Sequence, residues 1–300
     1  MPAVIAASAT PSVAVALKDS LNPTTDANTE IDISALFVAD KSARQLAVKS
    51  LGAALTQTSD PSVLESVGFS RAVIQALADK KSPAAREGAA QAISSLAKSG
   101  HVKLLEPTFL ESGVFAALLE AFADKMPAVR TAALDAVREY VAAMNPWATA
   151  LVLPTLLREI KSAGKWQVKM GALDVLNQLV KSAPVQTARL MPDIVPVLAE
   201  AIWDTKADVK KAARDSLTKA TALVSNKDIE RFIPALIKAL INPVEEVPAT
   251  IALLSATTFV SEVDSPTLSL MVPLLSRGLS EKLTATKRKV AVYVPPSFLL

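Results

Sequence analysis

LMPDIVPVLAEAIWDTKADVKKAARDSLTKATALVSNKDIERFIPALIKALIN, residues Leu190 to Asn242, is the stretch whose reading decides the fold. In its first part Ile194, Leu198, Ala201 and Ile202 recur at the spacing of one side of a helix. A polar break follows at Trp203-Asp204-Thr205-Lys206. Then Val209, Ala213, Leu217, Ala220 and Val224 return at steps of three and four, a second amphipathic helix. The unit is helix, tight turn, helix, and after a linker the next helix begins.

The same unit recurs along the chain. Pro-x-Leu-x-x-x-(Ile/Leu) starts at Pro154, Pro196, Pro234 and Pro273, and copies without the proline start at Arg71 and Ala116. Eight residues after each start stands Asp79, Asp124, Ser162, Asp204, Asn242 or Glu281. Asp, Asn and Ser at such a turn accept hydrogen bonds from free backbone N–H groups. The head of a second helix follows at Ala85-Arg86, Val129-Arg130, Val168-Lys169, Val209-Lys210, Val247-Pro248 and Thr286-Lys287. A period near forty with two helices per period is the pattern of HEAT or armadillo repeats. One hairpin cannot bury its apolar side alone, whereas stacked hairpins share a core. The expected fold is all-α: a right-handed HEAT/armadillo-like α-solenoid of about six to seven helical hairpins.

Composition agrees. Of 300 residues 51% are hydrophobic but only 4% aromatic, an Ala/Val/Leu core for closely packed helices. With eight glycines and no sustained alternation there is little room for a sheet. Mean hydropathy is +0.34, yet no run approaches the roughly 18–20 apolar residues of a spanning helix. No cysteine is present, so disulfides and thiolate metal sites are excluded. The first residues, MPAVIAASATPSVAVALKDS, have no basic region before their apolar stretch and read as neither a secretory signal nor a transit peptide. The expected location is the cytoplasm. A net charge of +3 is too even for binding nucleic acid by bulk charge, though local patches can still act.

Residues 1–38 read as a partly disordered N-terminal segment, with a short helix near Val13 to Leu21. Residues 39–289 read as the repeat domain. A degenerate first hairpin has its second helix at Ala43 to Leu55, and hairpins follow at roughly 62–98, 108–144, 149–182, 190–224 and 229–261. A seventh begins at Pro266, and its second helix is expected to start near Thr284. Pro295 and Pro296 stop that helix after barely two turns. Residues 290–300 therefore read as an atypical tail left by truncation, with fraying after Leu279.

Catalytic constellations are scarce. His101 is the single histidine, in a linker, and reads as solvated; no phosphate-cradling G-x-x-x-x-G-K-(S/T) loop and no G-x-S-x-G is present. No catalytic, cofactor-binding or metal-ligating residue is expected. Basic residues instead gather in the turns and the first halves of second helices: Lys80, Lys81, Arg86, Lys125, Arg130, Lys165, Lys169, Lys206, Lys210, Lys211, Arg214, Lys287, Arg288 and Lys289. One reading is a solvated edge that keeps the array soluble. The other is contact with phosphates of structured RNA, or with an acidic protein, by shape and charge. Cations at a helix N-terminus oppose the helix dipole, which adds weight to the second. The candidate contact residues are Lys206, Lys210, Lys211, Arg214, Lys287, Arg288 and Lys289. Trp147, Trp166 and Trp203 fall at hairpin ends, and Trp203 reads first as a wedge between neighbouring repeats, second as a partner-binding anchor.

Asn145-Pro146-Trp147, Lys165-Trp166-Gln167, MPDIVPVLAEAIWDTKADVKKAA (Met191 to Ala213), NKDIERFIPALIKAL (Asn226 to Leu240), SATTFVSEV (Ser255 to Val263) and LSLMVPLLSRGLSEK (Leu268 to Lys282) resemble fungal translation elongation factor 3. The resemblance is close over roughly 140–290 and looser over 40–140. It implies an N-terminal HEAT-repeat region of a larger protein that carries a helical bundle and two ATP-binding cassettes. That family is a ribosome-dependent ATPase that helps release deacylated tRNA from the exit site. The resemblance implies the ribosome as partner, through rRNA and ribosomal proteins of the small-subunit head, with other elongation factors as further candidates, no membrane, and a monomer. Both cassettes are missing here, so neither ATP nor ATPase activity carries over, and after Lys289 the sequence VAVYVPPSFLL departs from the family pattern. The alternative from another class is a HEAT scaffold or transport receptor that binds proteins in a concave groove.

Overall fold

The computed structural model describes residues 33–57, 60–100, 106, 109–110, 113–257, 263–281 and 284–293. Among them are sixteen α-helices, two short 3-10 turns and no strand. The chain divides into two compact units, residues 1–118 with 125–143, and residues 119–124 with 144–300.

In the first unit a 3-10 turn, Ser34–Phe37, leads into α1, Lys41–Leu55, then α2, Ser62–Ser66, α3, Phe69–Ala78, and α4, Pro83–Lys98. Helix α5, Val114–Ala121, gives residues to both units, and α6, Pro127–Ala143, closes the first. Helix α4 is central, packing on α1, α3, α6 and the 3-10 turn. Its sequence, PAAREGAAQAISSLAK, explains why: Ala85, Gly88, Ala89, Ala90, Ala92 and Ala97 are all buried, so neighbours approach it from several sides. Gly88 is required there, since a methyl group would overlap the carbonyl oxygen of Leu36. The helix begins as the sequence directs, with Pro83 in its first position and Ser82 Oγ accepting the N–H of Ala85 at 3.1 Å. Just before it, Asp79 Oδ1 accepts the N–H of Lys81 at 2.8 Å.

Buried Arg44 on α1 ties three elements. Its Nη1 donates to the carbonyls of Val38 at 2.9 Å and Ala39 at 2.8 Å, and its Nη2 pairs with Glu87 on α4 at 3.1 Å. Leu36, inside the segment expected to be partly disordered, is fully buried against this cluster. The rest of that segment, residues 1–32 with the expected helix at Val13 to Leu21, lies outside the described residues, as does His101. Elsewhere in the unit the Phe109 ring stacks on Tyr140, and burial pushes the Tyr140 phenol well above its ordinary value.

The second unit holds a 3-10 turn, Pro146–Ala148, then α7, Thr149–Ser162, α8, Trp166–Ser182, α9, Pro184–Arg189, α10, Met191–Ala201, and α11, Ala207–Thr221. It continues with α12, Lys227–Glu230, α13, Ile233–Ile241, α14, Pro243–Ser255, α15, Ser265–Ser280, and α16, Thr284–Tyr293. The pairs α7/α8, α10/α11, α13/α14 and α15/α16 are the expected hairpins. First helices stack, α7 on α10, and so do second helices, α8 on α11. The apolar stripes read from the sequence are the shared core: Ile194, Leu198, Val209, Ala213 and Leu217 are fully buried. Burying each large aliphatic side chain contributes about 1.5–3 kcal/mol. Each unit is all-α and built from packed helices, the fold class expected from the period.

Three observations depart from expectation. Regular stacking is interrupted after α11: α10 lies against α15 and α13 reaches α11, while the last two hairpins again stack, α13 on α15 and α14 on α16. The second helix of the sixth hairpin starts at Pro243 rather than at Val247-Pro248. Proline suits a first helical position, so one residue, Asn242, suffices as the turn, and Pro248 sits inside the helix. Helix α16 begins at Thr284 as expected, but it is formed over ten residues and buries Val290 where fraying was expected. Residues 294–300 lie outside the described residues.

Candidate functional site

The turn between α10 and α11 is built around Asp204. Its Oδ1 accepts the N–H of Lys206 at 2.9 Å, and its Oδ2 takes the ammonium of Lys169, from the first turn of α8, at 2.7 Å. The Lys169 hydrogen bond first, and the Lys206 N–H second, hold the Asp204 carboxyl below the usual carboxylate range. The pair is nearly enclosed, with side chains only 18% and 12% exposed. A second bridge between the same two hairpins, Lys161 to Glu200 at 3.0 Å, is open to solvent.

These bonds divide the basic residues by role. Lys169 is spent on Asp204. Buried Arg86 donates from Nη1 to the carbonyl of Asp79 at 2.6 Å, and Arg130 donates in the same way to Lys125 at 3.1 Å. All three serve the hairpins rather than an open edge, a correction to the reading of these positions as one stripe. Lys210 occupies the place in its hairpin that Lys169 has in the one before. The following hairpin, however, offers uncharged Asn242 where Asp204 would be needed, and the Asn242 amide bonds Glu245 at 2.6 Å. Lys210 makes no ion pair among the described residues.

Lys206, Lys211 and Arg214 are exposed and Lys210 is half-buried. On a helix of 3.6 residues per turn Lys206, Lys210 and Arg214 follow one line beside the buried stripe of Val209, Ala213 and Leu217. Asp215, on the far side of α11, is taken by Lys219 at 2.6 Å. Lys287, Arg288 and Lys289 on α16 are also exposed, while Thr286 and Val290 beside them are buried. Among the described residues none of the seven candidate cations makes an ion pair. The two clusters belong to different hairpins with the α13/α14 pair between them in the chain. Helix α11 packs on α8, α10 and α13, and α16 packs on α14 and α15.

The tryptophans also correct the sequence reading. Trp203 is 59% exposed, so it is not a wedge between repeats, and Trp166 is 41% exposed. Trp203 follows the last buried residue of its stripe, Ile202, and the turn carries its side chain outward. Trp147, 62% exposed, has the Arg189 guanidinium 5.2 Å above its ring. A further feature has its signal in the repeat-marking prolines: Pro154 and Pro196, with Leu153, Leu157, Pro192 and Val197, line a cleft of about 460 Å³ between α7 and α10. Among the described residues no group of three His, Cys, Asp or Glu side chains is placed to hold a metal, and no helix is long and apolar enough to cross a membrane.

Comparison with known proteins adds to this geometry. A family model described as EF3 N-terminal HEAT repeat matches residues 43–217, and one described as Elongation factor 3/GNC1 HEAT repeat matches residues 245–295. The gap between the two matches is where regular stacking is interrupted. An Elongation factor 3 from Mycosarcoma maydis is 51% identical over 269 residues, 90% of this chain and 24% of that protein. One from Gonapodya prolifera is 49% identical over 218 residues, 73% of this chain and 20% of that protein. Elongation factor 3B of Saccharomyces cerevisiae is 51% identical over 166 residues, 55% and 16% respectively. The chain thus spans about a quarter or less of the length of these curated relatives. Among solved structures, a computationally designed armadillo repeat protein overlays 86% of this chain and 94% of its own at 16% identity and a TM-score of 0.37. With its all-α hairpins, its repeat period and two consecutive matches to HEAT-repeat models, the chain belongs to the EF3 N-terminal HEAT repeat family.

Proposed function

We propose that this chain is a ribosome-docking module of an elongation-factor-3-like protein, working in translation elongation in the cytoplasm. The single observation that carries the reading is the line of cations on α11 with no carboxylate partners among the described residues, in a chain whose relatives are elongation factors. The module is non-catalytic. Joined to ATPase cassettes, it holds them on the small-subunit head while exit-site tRNA is released. Rigid stacking suits that role, because the helices present fixed charge to rRNA phosphates and ribosomal proteins without an ordering cost at each contact. The test is cosedimentation of the chain with ribosomes. Lys210→Glu, Lys211→Glu and Arg214→Glu together weaken binding at least tenfold; unchanged binding rejects the assignment. The Lys287 to Lys289 cluster is assigned to the same docking charge and is tested by the same reversal.

The α7/α10 cleft favours a second reading, a scaffold that grips an apolar segment of a partner protein. Ribosomes stripped of accessible RNA by nuclease separate the two. Docking on rRNA is lost with the RNA, and protein gripping survives.

A further inference from the structure

Trp166 and Trp203 stand at the turn ends of adjacent hairpins, one opening α8 and the other just ahead of α11. Helices α8 and α11 pack together, and the Lys169–Asp204 pair brings their first turns side by side. Packed helices run about 8–10 Å apart, so the two indoles share one edge of the unit. Both are well exposed, and among the described residues neither carries a cation over its ring. Trp147 differs, because Arg189 already covers its face.

Lysines stand beside both indoles. Lys165 precedes Trp166, and Lys206 and Lys210 follow Trp203; none of the three makes an ion pair among the described residues. The nearby carboxylates are neutralised, Asp204 by Lys169 and Glu200 by Lys161. Asp208, exposed and without an ion pair among the described residues, lies across the helix from Lys210 and Arg214. An apolar protein surface would not call for a lysine beside each ring. A duplex would satisfy the lysines and leave both rings in water. Unpaired nucleotides satisfy both, with phosphates on the ammonium groups and bases flat on the indoles.

We infer that Trp166 and Trp203 are stacking platforms for unpaired bases of an RNA loop or single strand, whose phosphates Lys165, Lys206 and Lys210 hold. This rests on the docking reading above and names its ligand: looped rather than helical RNA. Selectivity is for single-strandedness, because every base offers a π-face.

The experiment uses the chain carrying Trp147→Phe, so that intrinsic fluorescence reports Trp166 and Trp203, two of the three tryptophans. The probes are an oligouridylate of about twelve nucleotides and an RNA duplex of similar length, long enough to span both indoles and the lysines. The single strand quenches the fluorescence and binds at least tenfold tighter than the duplex. For variants without tryptophan, binding is read from the fluorescence anisotropy of end-labelled RNA, and there Trp166→Leu with Trp203→Leu removes that preference. Trp166→Phe with Trp203→Phe keeps most of it, since a phenyl ring also stacks. Both rings are exposed, and the variants keep the wild-type helical content.

Absence of quenching overturns the inference, and so does a Leu variant that binds the single strand like wild type. A Leu variant that loses ribosome cosedimentation while keeping single-strand affinity also overturns it, and assigns the rings to a protein partner. If the inference fails while the Lys210, Lys211 and Arg214 reversal still releases the chain from ribosomes, docking by charge stands without stacking. If that reversal has no effect, it is the docking assignment that has failed.

Discussion

The Lys169 ammonium lies 2.7 Å from the Asp204 carboxylate, an ion pair that joins the first turn of α8 to the turn between α10 and α11 and leaves both side chains nearly enclosed. Breaking one partner strands a partly buried charge. Asp204→Asn keeps Oδ1 for the Lys206 N–H and removes the charge, at a cost of about 1–3 kcal/mol near neutral pH. Because folding lowers the Asp204 pKa, the stabilisation is complete above the unfolded value of about 3.9 and declines as pH falls through it. Thermal unfolding from pH 7 down to pH 3 is expected to show the wild type and the variant converging in acid. A constant gap across that range would falsify the assignment.

Gly88 admits α4 against the Leu36 carbonyl, a backbone atom that cannot swing aside. Gly88→Ala gains about 1 kcal/mol of helix propensity and loses more to displaced backbone, for a net destabilisation of about 1–3 kcal/mol. Gly164, with open space where its Cβ would be, is the control, and Gly164→Ala stays within about 0.5 kcal/mol of wild type. Urea midpoints for the two variants decide whether the close approach is the cause.

Arg44 is bidentate and buried, and a lysine cannot reproduce its fork. In Arg44→Lys at least one of the Val38 and Ala39 carbonyls loses its donor. Hydrogen exchange is expected to speed up by tenfold or more in α1, while amides in α10 and α11 keep their protection, because repeats contact only their neighbours. Uniform loss of protection along the chain speaks against that locality.

Thr267 on α15 is fully buried and its hydroxyl has no hydrogen-bond partner among the described residues. Valine has nearly the same shape and no polar group to desolvate, so Thr267→Val raises stability by about 0.5–2 kcal/mol. A fall in the melting temperature would show that the hydroxyl is satisfied in solution.

Phosphate contacts leave a signature in salt. Each one lost flattens the slope of log affinity against log salt by about 0.7–0.9. For ribosome binding the Lys210, Lys211 and Arg214 reversal is therefore expected to reduce the slope by about two to three. Weaker affinity at an unchanged slope would mean that these residues do not meet phosphates.

Periodicity alone made the helices legible. Apolar residues at three- and four-residue steps, proline at first positions and an Asp or Ser at the turns are local instructions, read within one turn of helix; hence Thr284 was recognisable as the start of α16. The repeat of forty residues told which helices pair, because an amphipathic face has to find another. Where a local rule had two solutions the sequence misled: Pro243 and Pro248 both fit the start of a helix, and packing chose the first.

What neighbours do to a side chain was decided only in three dimensions. Lys169 and Lys210 stand at matching places in successive hairpins, yet one is neutralised by Asp204 and the other makes no ion pair among the described residues. Trp203 looked like a wedge because it adjoins a buried stripe; one residue past that stripe, a helix turns through about 100° and the ring meets water. The break in stacking after α11 has no signature in period or composition. Local pattern determined that these helices form and pair. The tertiary structure determined which charges and rings stay free, because that depends on the residue a different hairpin brings alongside.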